Sequence, residues 1–356
     1  MHILNSAVAV DASQFCTGGF NAVLHQCINS SNSTGSTGNT MWEAISAAIA
    51  SPLNVSGVID ARAFQGPQLV KAGVGTTALY GCNGNPLACQ VGGVSTPTPP
   101  GSKVNGVLLL GNVTNYCDGP SGGNYTDGNS NYGTPCIIVP WGFQIIGSAK
   151  FTTNVVGTTF APCLGSNNPV TGCNAAFPKR SLSISAISVT STTMTLTSSN
   201  PLTITGGPTN NQNIYVGELV AISGATNSVY NVLRTVQTLP SSPGNTFTVS
   251  VPNGTSTTGC SGGNCGTAYL VTPFIGFGYQ NNSSPPCNAG SSSTQCAYVP
   301  VRVGANQSFA SRVINLSFDL ESQPGAVAVQ NLNGGEQSGM STIYCRHPYY
   351  GVRTGW

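Results

Sequence analysis

The residues best suited to chemistry are acids near the C-terminal end of a chain that has few of them. Asp319, Glu321 and Glu336 are three of nine carboxylates and fall within eighteen residues. If Ile314, Leu316 and Phe318 point inward from a continuing strand, then Asn315, Ser317, Asp319 and Glu321 share the outer face. Two positions at ~3.3 Å rise place the carboxylate stems roughly 6.6 Å apart. That is near the ~6.5–9.5 Å between the paired acids of inverting glycosidases. Glu336 would join them from a neighbouring turn. The rival reading is a solvated strand end. Arg346 and His347 follow the last apolar run and offer a base or a sugar contact. Tyr349, with Tyr344, Tyr350 and Trp356, offers rings that stack on sugars. An ordinary loop and plain packing account for these residues equally well. Asp60 and Arg62, two apart on one strand face, read as an exposed ion pair.

The elements that must position these groups are short and heavily stapled. Of the thirteen cysteines, twelve form close couples: Cys16 with Cys27, Cys82 with Cys89, Cys117 with Cys136, Cys163 with Cys173, Cys260 with Cys265 and Cys287 with Cys296. Each couple brackets a stretch rich in Gly, Asn, Ser or Pro, where a disulfide removes unfolded-chain entropy. Nearest-neighbour pairing is the expectation, although spacing alone leaves connectivity open. Cys345 is left over, free or bonded to another chain. Metal binding by the cysteines is the rival, weakened by the absence of C-x2-C and by only three histidines. An oxidising compartment follows, so the chain is expected to be secreted or displayed at a cell surface. Residues 6–11 (SAVAVD) look like the tail of a secretory leader.

Composition narrows the classes further. Charged residues make up 6% of the chain, hydrophobic residues 39%, and the net charge is +2. That balance gives no electrostatic case for nucleic acid or an anionic membrane surface. No apolar run approaches the ~18 residues of a membrane span, and the 45 glycines show no collagen period. No glycine-rich stretch matches a phosphate loop. A turn-rich, all-β protein remains.

One helix is legible, Met41–Ala50, with Thr40 as N-cap, Glu43 as its capping-box partner and Pro52 beyond its end. After it, apolar runs of four to six residues at 57–60, 106–111, 136–139 and 143–146 are bounded by Gly, Pro or Asn and read as strands. From 181 to 252 the pattern alternates as in antiparallel hairpins, without cysteine. In the last segment, strand starts 13–15 residues apart suit successive sides of a stacked solenoid.

The helix, then Gly57-Val-Ile-Asp-Ala-Arg-Ala-Phe64, Gly106-Val-Leu-Leu-Leu-Gly111 and Ile138-Val-Pro-Trp-Gly-Phe-Gln-Ile-Ile-Gly147, resembles the opening of secreted bacterial right-handed parallel β-helix proteins of the pectate-lyase-like superfamily. Asn315-Leu-Ser-Phe-Asp319 with Ala328-Val-Gln-Asn-Leu332 looks like two further coil sides. The stretch Val216–Gly224 followed by 245–249 resembles small accessory β modules of phage-tail and bacterial surface proteins. The superfamily implies action on, or attachment to, polysaccharide. Its enzymes use aspartates for hydrolysis, or a Ca2+ site of carboxylates with a basic residue for β-elimination. The Asn-Thr-Asp, Asp-Asp, Gly-His-Gly and Arg-Ile-Lys signatures of the polygalacturonase branch are absent from this sequence.

The expectation is therefore a right-handed parallel β-helix with an N-terminal capping helix and an inserted antiparallel sandwich- or barrel-like module. Residues 1–40 would be leader remnant and stapled lead-in, 41–177 and 257–356 the coils, and 178–256 the insert. Polysaccharide or a cell-surface glycan is the expected partner, through a lyase, a hydrolase or a binding face, with Ca2+ as the cation the lyase branch would bring. The alternative is a structural protein that self-associates. Cys345 lies in the last legible coil, which would be followed by further coils or would dock on another subunit.

Overall fold

Runs of four or five apolar residues are too short to make a core alone, and here they do so by stacking in register. The computed structural model describes residues 8–28, 40–51, 53–54, 56–71, 74–79, 106–118, 136–139, 142–148, 157–164, 170–173, 177, 181–202, 219–238, 244–252, 258–262, 265–277, 311–331, 338–348 and 350–354. The architecture is mostly β and holds a curled parallel sheet. Along that sheet run Val10–Asp11, Val58–Ala61, Val107–Leu110, Gln144–Ile146, Arg312–Asp319, Thr159–Pro162, Val113–Cys117 and Gly66–Val70, with Gly339–Arg346 added beside Arg312–Asp319. A second parallel sheet stacks Ile137–Val139, Thr272–Phe277, Ala326–Asn331 and Tyr350–Thr354.

The curl has a local cause. Arg312–Asp319 pairs with Gln144–Ile146 through residues 312–314 and with Thr159–Pro162 through residues 317–318. Between the two halves Asn315 adopts a φ of 57°, a left-handed turn that Asn tolerates better than most residues. Earlier circuits turn the same corner at Gly111 and Gly147. A Cβ on Gly147 would collide with the carbonyl of Asn315, and one on Gly111 would lie 2.8 Å from the carbonyl of Arg62. Glycine is therefore required where neighbouring corners touch.

Register sends like residues into the same ladder. Val10, Ile59, Leu108, Ile145, Val313 and Met340 are successive partners, and the first five are buried. At ~1.5–3 kcal/mol per buried aliphatic side chain, this ladder is a main support of the stack. A second ladder runs Gln68, Asn115, Phe160, Phe318, Cys345. Phe160 and Phe318 stack with ring centroids 5.5 Å apart. Its polar members lie toward the N-terminal end, where Trp42 of the helix Met41–Ala50 donates to Asn115 Oδ1 at 3.0 Å. The Asn115 amide in turn donates to the Thr159 carbonyl at 3.2 Å, so this buried amide is satisfied at both ends.

That helix starts as its sequence predicts, with Thr40 and Glu43 forming a reciprocal capping box. It packs against the 3-10 turn Ala12–Phe15, the short helix Val74–Ala78 and the strands Val58–Ala61 and Gly66–Val70. Lys71 pairs with Glu43 at 3.2 Å.

The antiparallel module reaches further than the alternating pattern indicated. Its strands are Ser181–Thr190, Thr193–Leu202, Leu219–Ala225, Leu233–Thr238, Gly244–Ser250, Cys260–Ser261 and Cys265–Leu270, so pairing continues past residue 256 to Leu270 and takes in the Cys260–Cys265 disulfide. The glycine-rich 258–266 stretch hid that continuation. Ser181–Thr190 pairs with Cys265–Leu270 on one side and with Thr193–Leu202 on the other, which closes the pairings into a ring. The core of the module is separate and includes Leu182, Ile187, Met194, Leu196, Tyr230 and Phe247.

Four of the six expected disulfides are present among the described residues: Cys16–Cys27, Cys117–Cys136, Cys163–Cys173 and Cys260–Cys265. The other two expected pairings fall elsewhere. Cys82 and Cys89 lie outside the described residues, and so do Cys287 and Cys296. Cys345 is free. No helix among the described residues is long and apolar enough to cross a membrane.

Candidate functional site

Asp319, Glu321, Arg346 and His347 come together where two stacked strands end. Arg312–Asp319 stops because Glu321 and Ser322 take positive φ values of 46° and 52°. Asp319 Oδ1 accepts the Glu321 backbone N–H at 3.3 Å, and Gln323 N–H donates to the Leu320 carbonyl at 2.9 Å. One circuit on, Gly339–Arg346 ends in the same way, with His347 at a φ of 45°. The two loops are tied by Leu320 N–H to the Arg346 carbonyl at 3.0 Å and Ser322 N–H to the His347 carbonyl at 2.8 Å.

Their side chains converge on Asp319. His347 Nδ1 lies 2.9 Å from Asp319 Oδ1. A carboxylate oxygen accepts, so the contact is one in which Nδ1–H donates to Oδ1. Arg346 Nε stands 3.7 Å from the other oxygen, Oδ2. The Asp319 side chain is 15% exposed while His347 is 52% exposed, so the acid is the fixed partner. One ligating atom each of Asp319, Glu321 and His347 lies within 4.8 Å of the others.

These positions correct the strand expectation in two ways. Leu316 and Phe318 point inward, but so does Val313 rather than Ile314, because the corner at Asn315 resets the alternation. The strand also does not continue to Glu321, and one carboxylate oxygen of each acid lies within 4.8 Å of the other. Glu336 and Tyr349 lie outside the described residues. Tyr344 is exposed beside Ser317 in register.

Sequence reasoning missed Tyr116. It sits on the outward side of Val113–Cys117, opposite Ala161, one residue beyond the Phe160–Phe318 pair that leads to Asp319. Burial pushes its phenol above the ordinary range, and the negative charges of Glu321 and Asp319 add to the effect. Tyr116 and Cys173 pack against Leu69, Cys163 and Val170, so the Cys163–Cys173 disulfide stands beside Tyr116. Nothing in the local pattern marks Tyr116, because its neighbours are set by stacking register.

Elsewhere Asp60 and Arg62 form the expected exposed pair, with Nη2 to Oδ2 at 2.6 Å and Nε to Oδ1 at 2.9 Å. The Arg62 hydrogen bonds hold the Asp60 carboxyl below its usual value. At the C-terminal side of the stack, Gly339–Arg346 and Tyr350–Thr354 pair along one edge only among the described residues. There the inward ladders end on Met340, Cys345 and Val352, the last 48% exposed. Burial raises the Cys345 thiol above its ordinary value, which keeps it in the less nucleophilic thiol form. No protein-family model and no curated protein matches this chain.

Proposed function

We propose that this chain is a secreted, right-handed parallel β-helix protein that acts on or binds polysaccharide through the outward surface around Asp319. The observation that supports this reading is the convergence of Asp319, Glu321, Arg346 and His347 on one exposed face. Two carboxylates and an imidazole can supply a general acid and a general base at a glycosidic bond, and a guanidinium can meet an anionic sugar. Glu321 is exposed and free to meet a leaving oxygen, while Asp319 orients the His347 ring. Arg346 faces an anionic sugar, as in a uronate polymer. The four disulfides fit an extracellular setting.

The test is incubation of the purified chain with uronate and neutral polysaccharides, scoring new reducing ends, unsaturated products and retention on immobilised glycan. Wild type is expected to degrade or retain at least one polymer. Asp319→Asn and His347→Ala are expected to lose roughly 100-fold in turnover, or the corresponding retention. Equal behaviour of wild type and both variants would remove the reading.

A second reading is favoured by the edge of Gly339–Arg346 and Tyr350–Thr354 that has no partner among the described residues, and by the exposed Val352 beside it. An edge of this kind pairs readily with another chain. In that reading two copies meet there and Cys345 joins them. A dimer on non-reducing gels that vanishes in Cys345→Ser supports it, and a monomer under oxidising conditions contradicts it.

A further inference from the structure

We infer that Asp319, Glu321 and His347 form a binding site for a divalent first-row transition cation of the Zn2+ type, and that this site prefers such ions to Ca2+. The argument starts from the donor set. Ca2+ takes oxygen donors, whereas imidazole with carboxylates suits Zn2+ and its neighbours. The mixed set of one ring nitrogen and two carboxylates therefore selects the second class.

Spacing supports the same conclusion. Donors bound at ~2.0–2.2 Å to one ion lie roughly 3 Å from each other. His347 Nδ1 and Asp319 Oδ1 already stand at 2.9 Å, so an ion bound at ~2.0–2.2 Å to both would sit to one side of the line between them once the shared proton has left and the two side chains have turned toward it. Glu321 lies within 4.8 Å of both and is exposed, so a side-chain rotation completes a three-donor set and leaves further positions for water or a substrate oxygen. Arg346 does not compete for the same atom. It lies 3.7 Å from the other oxygen, Oδ2, as a loose ion pair. Two of the donors belong to one circuit and the third to the next, so the ion would bridge successive circuits. The site shares residues with the proposed glycan surface, but it stands on its donors whether or not glycan is bound.

The experiment is a calorimetric titration of Zn2+ into the full chain carrying Cys345→Ser, which removes the thiol as a ligand. A single saturable equivalent is expected, weakened by His347→Ala and by Asp319→Asn by more than the ~10- to 100-fold that loss of an outer partner of a metal ligand costs. It should be unaffected by His25→Ala and undisturbed by equal Ca2+. His347 is exposed, so its variant is expected to keep the parent circular dichroism spectrum. Asp319→Asn keeps the side-chain shape as a second check. No saturable uptake, uptake unchanged in His347→Ala, loss with His25→Ala instead, or equal displacement by Ca2+ would each overturn the inference. The polysaccharide assay is read separately. Zn2+ uptake without any glycan effect removes only the glycan reading, and glycan turnover without Zn2+ uptake removes only the metal site.

Discussion

In the antiparallel module, Ser181–Thr190 finds partners on both sides and the ring of strands closes. In the parallel stack, each circuit hands its edge to the next, and Gly339–Arg346 pairs on one side only among the described residues. Closure removes edges within one unit, whereas stacking passes the edge along until something covers it. The helix Met41–Ala50 covers one end of the stack. The difference extends to chemistry. Residues 181–270 contain just two charged side chains, Glu218 and Arg234, while Asp319, Glu321, Arg346 and His347 all lie at strand ends of the stack. Stacked strands end in loops one above another, and so bring side chains distant in sequence onto one face. The candidate site belongs to the stack, and the module contributes none of its residues.

The sharpest way to break this comparison is to remove the cap. Trp42→Ala deletes a fully buried ring and leaves Asn115 Oδ1 without its donor. A loss of about 3–5 kcal/mol is expected, read in urea unfolding as a shift of the stack's transition with that of the module unmoved. A common shift of both transitions would show that the two units unfold as one. Phe318→Ala against Phe247→Ala sharpens the same point. Each removes a buried ring from a different core at about 3–5 kcal/mol, and each should move only its own unit's transition.

Next in size is the Cys117–Cys136 disulfide, which closes a sequence separation of 19 between the two parallel sheets. The double replacement by serine is expected to cost about 3 kcal/mol, again in the stack alone.

The smallest effect is electrostatic. Arg62 lowers the Asp60 carboxyl, so the pair's contribution is present above the unfolded carboxylate value near ~3.9 and is lost as pH falls through the lowered folded value. Because the pair is exposed, no more than about 0.5 kcal/mol is expected. Arg62→Ala should flatten the acid limb of stability against pH by that amount. An unchanged limb would show that the pair contributes nothing.

What was legible in the sequence follows the range of the interactions. The capping box of Thr40 and Glu43 lies within one turn, and Cys16–Cys27 or Cys163–Cys173 within a dozen residues, so composition and spacing suffice. The apolar runs show that strands exist. They do not show that Ile145 meets Val313 across more than 160 residues, or that Asn315 turns the corner. That left-handed residue moved the inward set from Ile314 to Val313, and the left-handed Glu321 and Ser322 took Glu321 out of the strand. Asp319 and His347 were both singled out by residue type, yet their 2.9 Å contact depends on two circuits stacking in one register. Tyr116 depends on two further strand pairings and carried no local mark.

The most direct measurement of the central claim is carboxyl labelling with a carbodiimide, mapped by peptide mass spectrometry with and without a bound polysaccharide. The account predicts that Asp319 and Glu321 are protected while Asp60 labels unchanged, and that the protection disappears in His347→Ala. Protection confined to the antiparallel module, or none at Asp319 and Glu321 under conditions where glycan is retained, would contradict it.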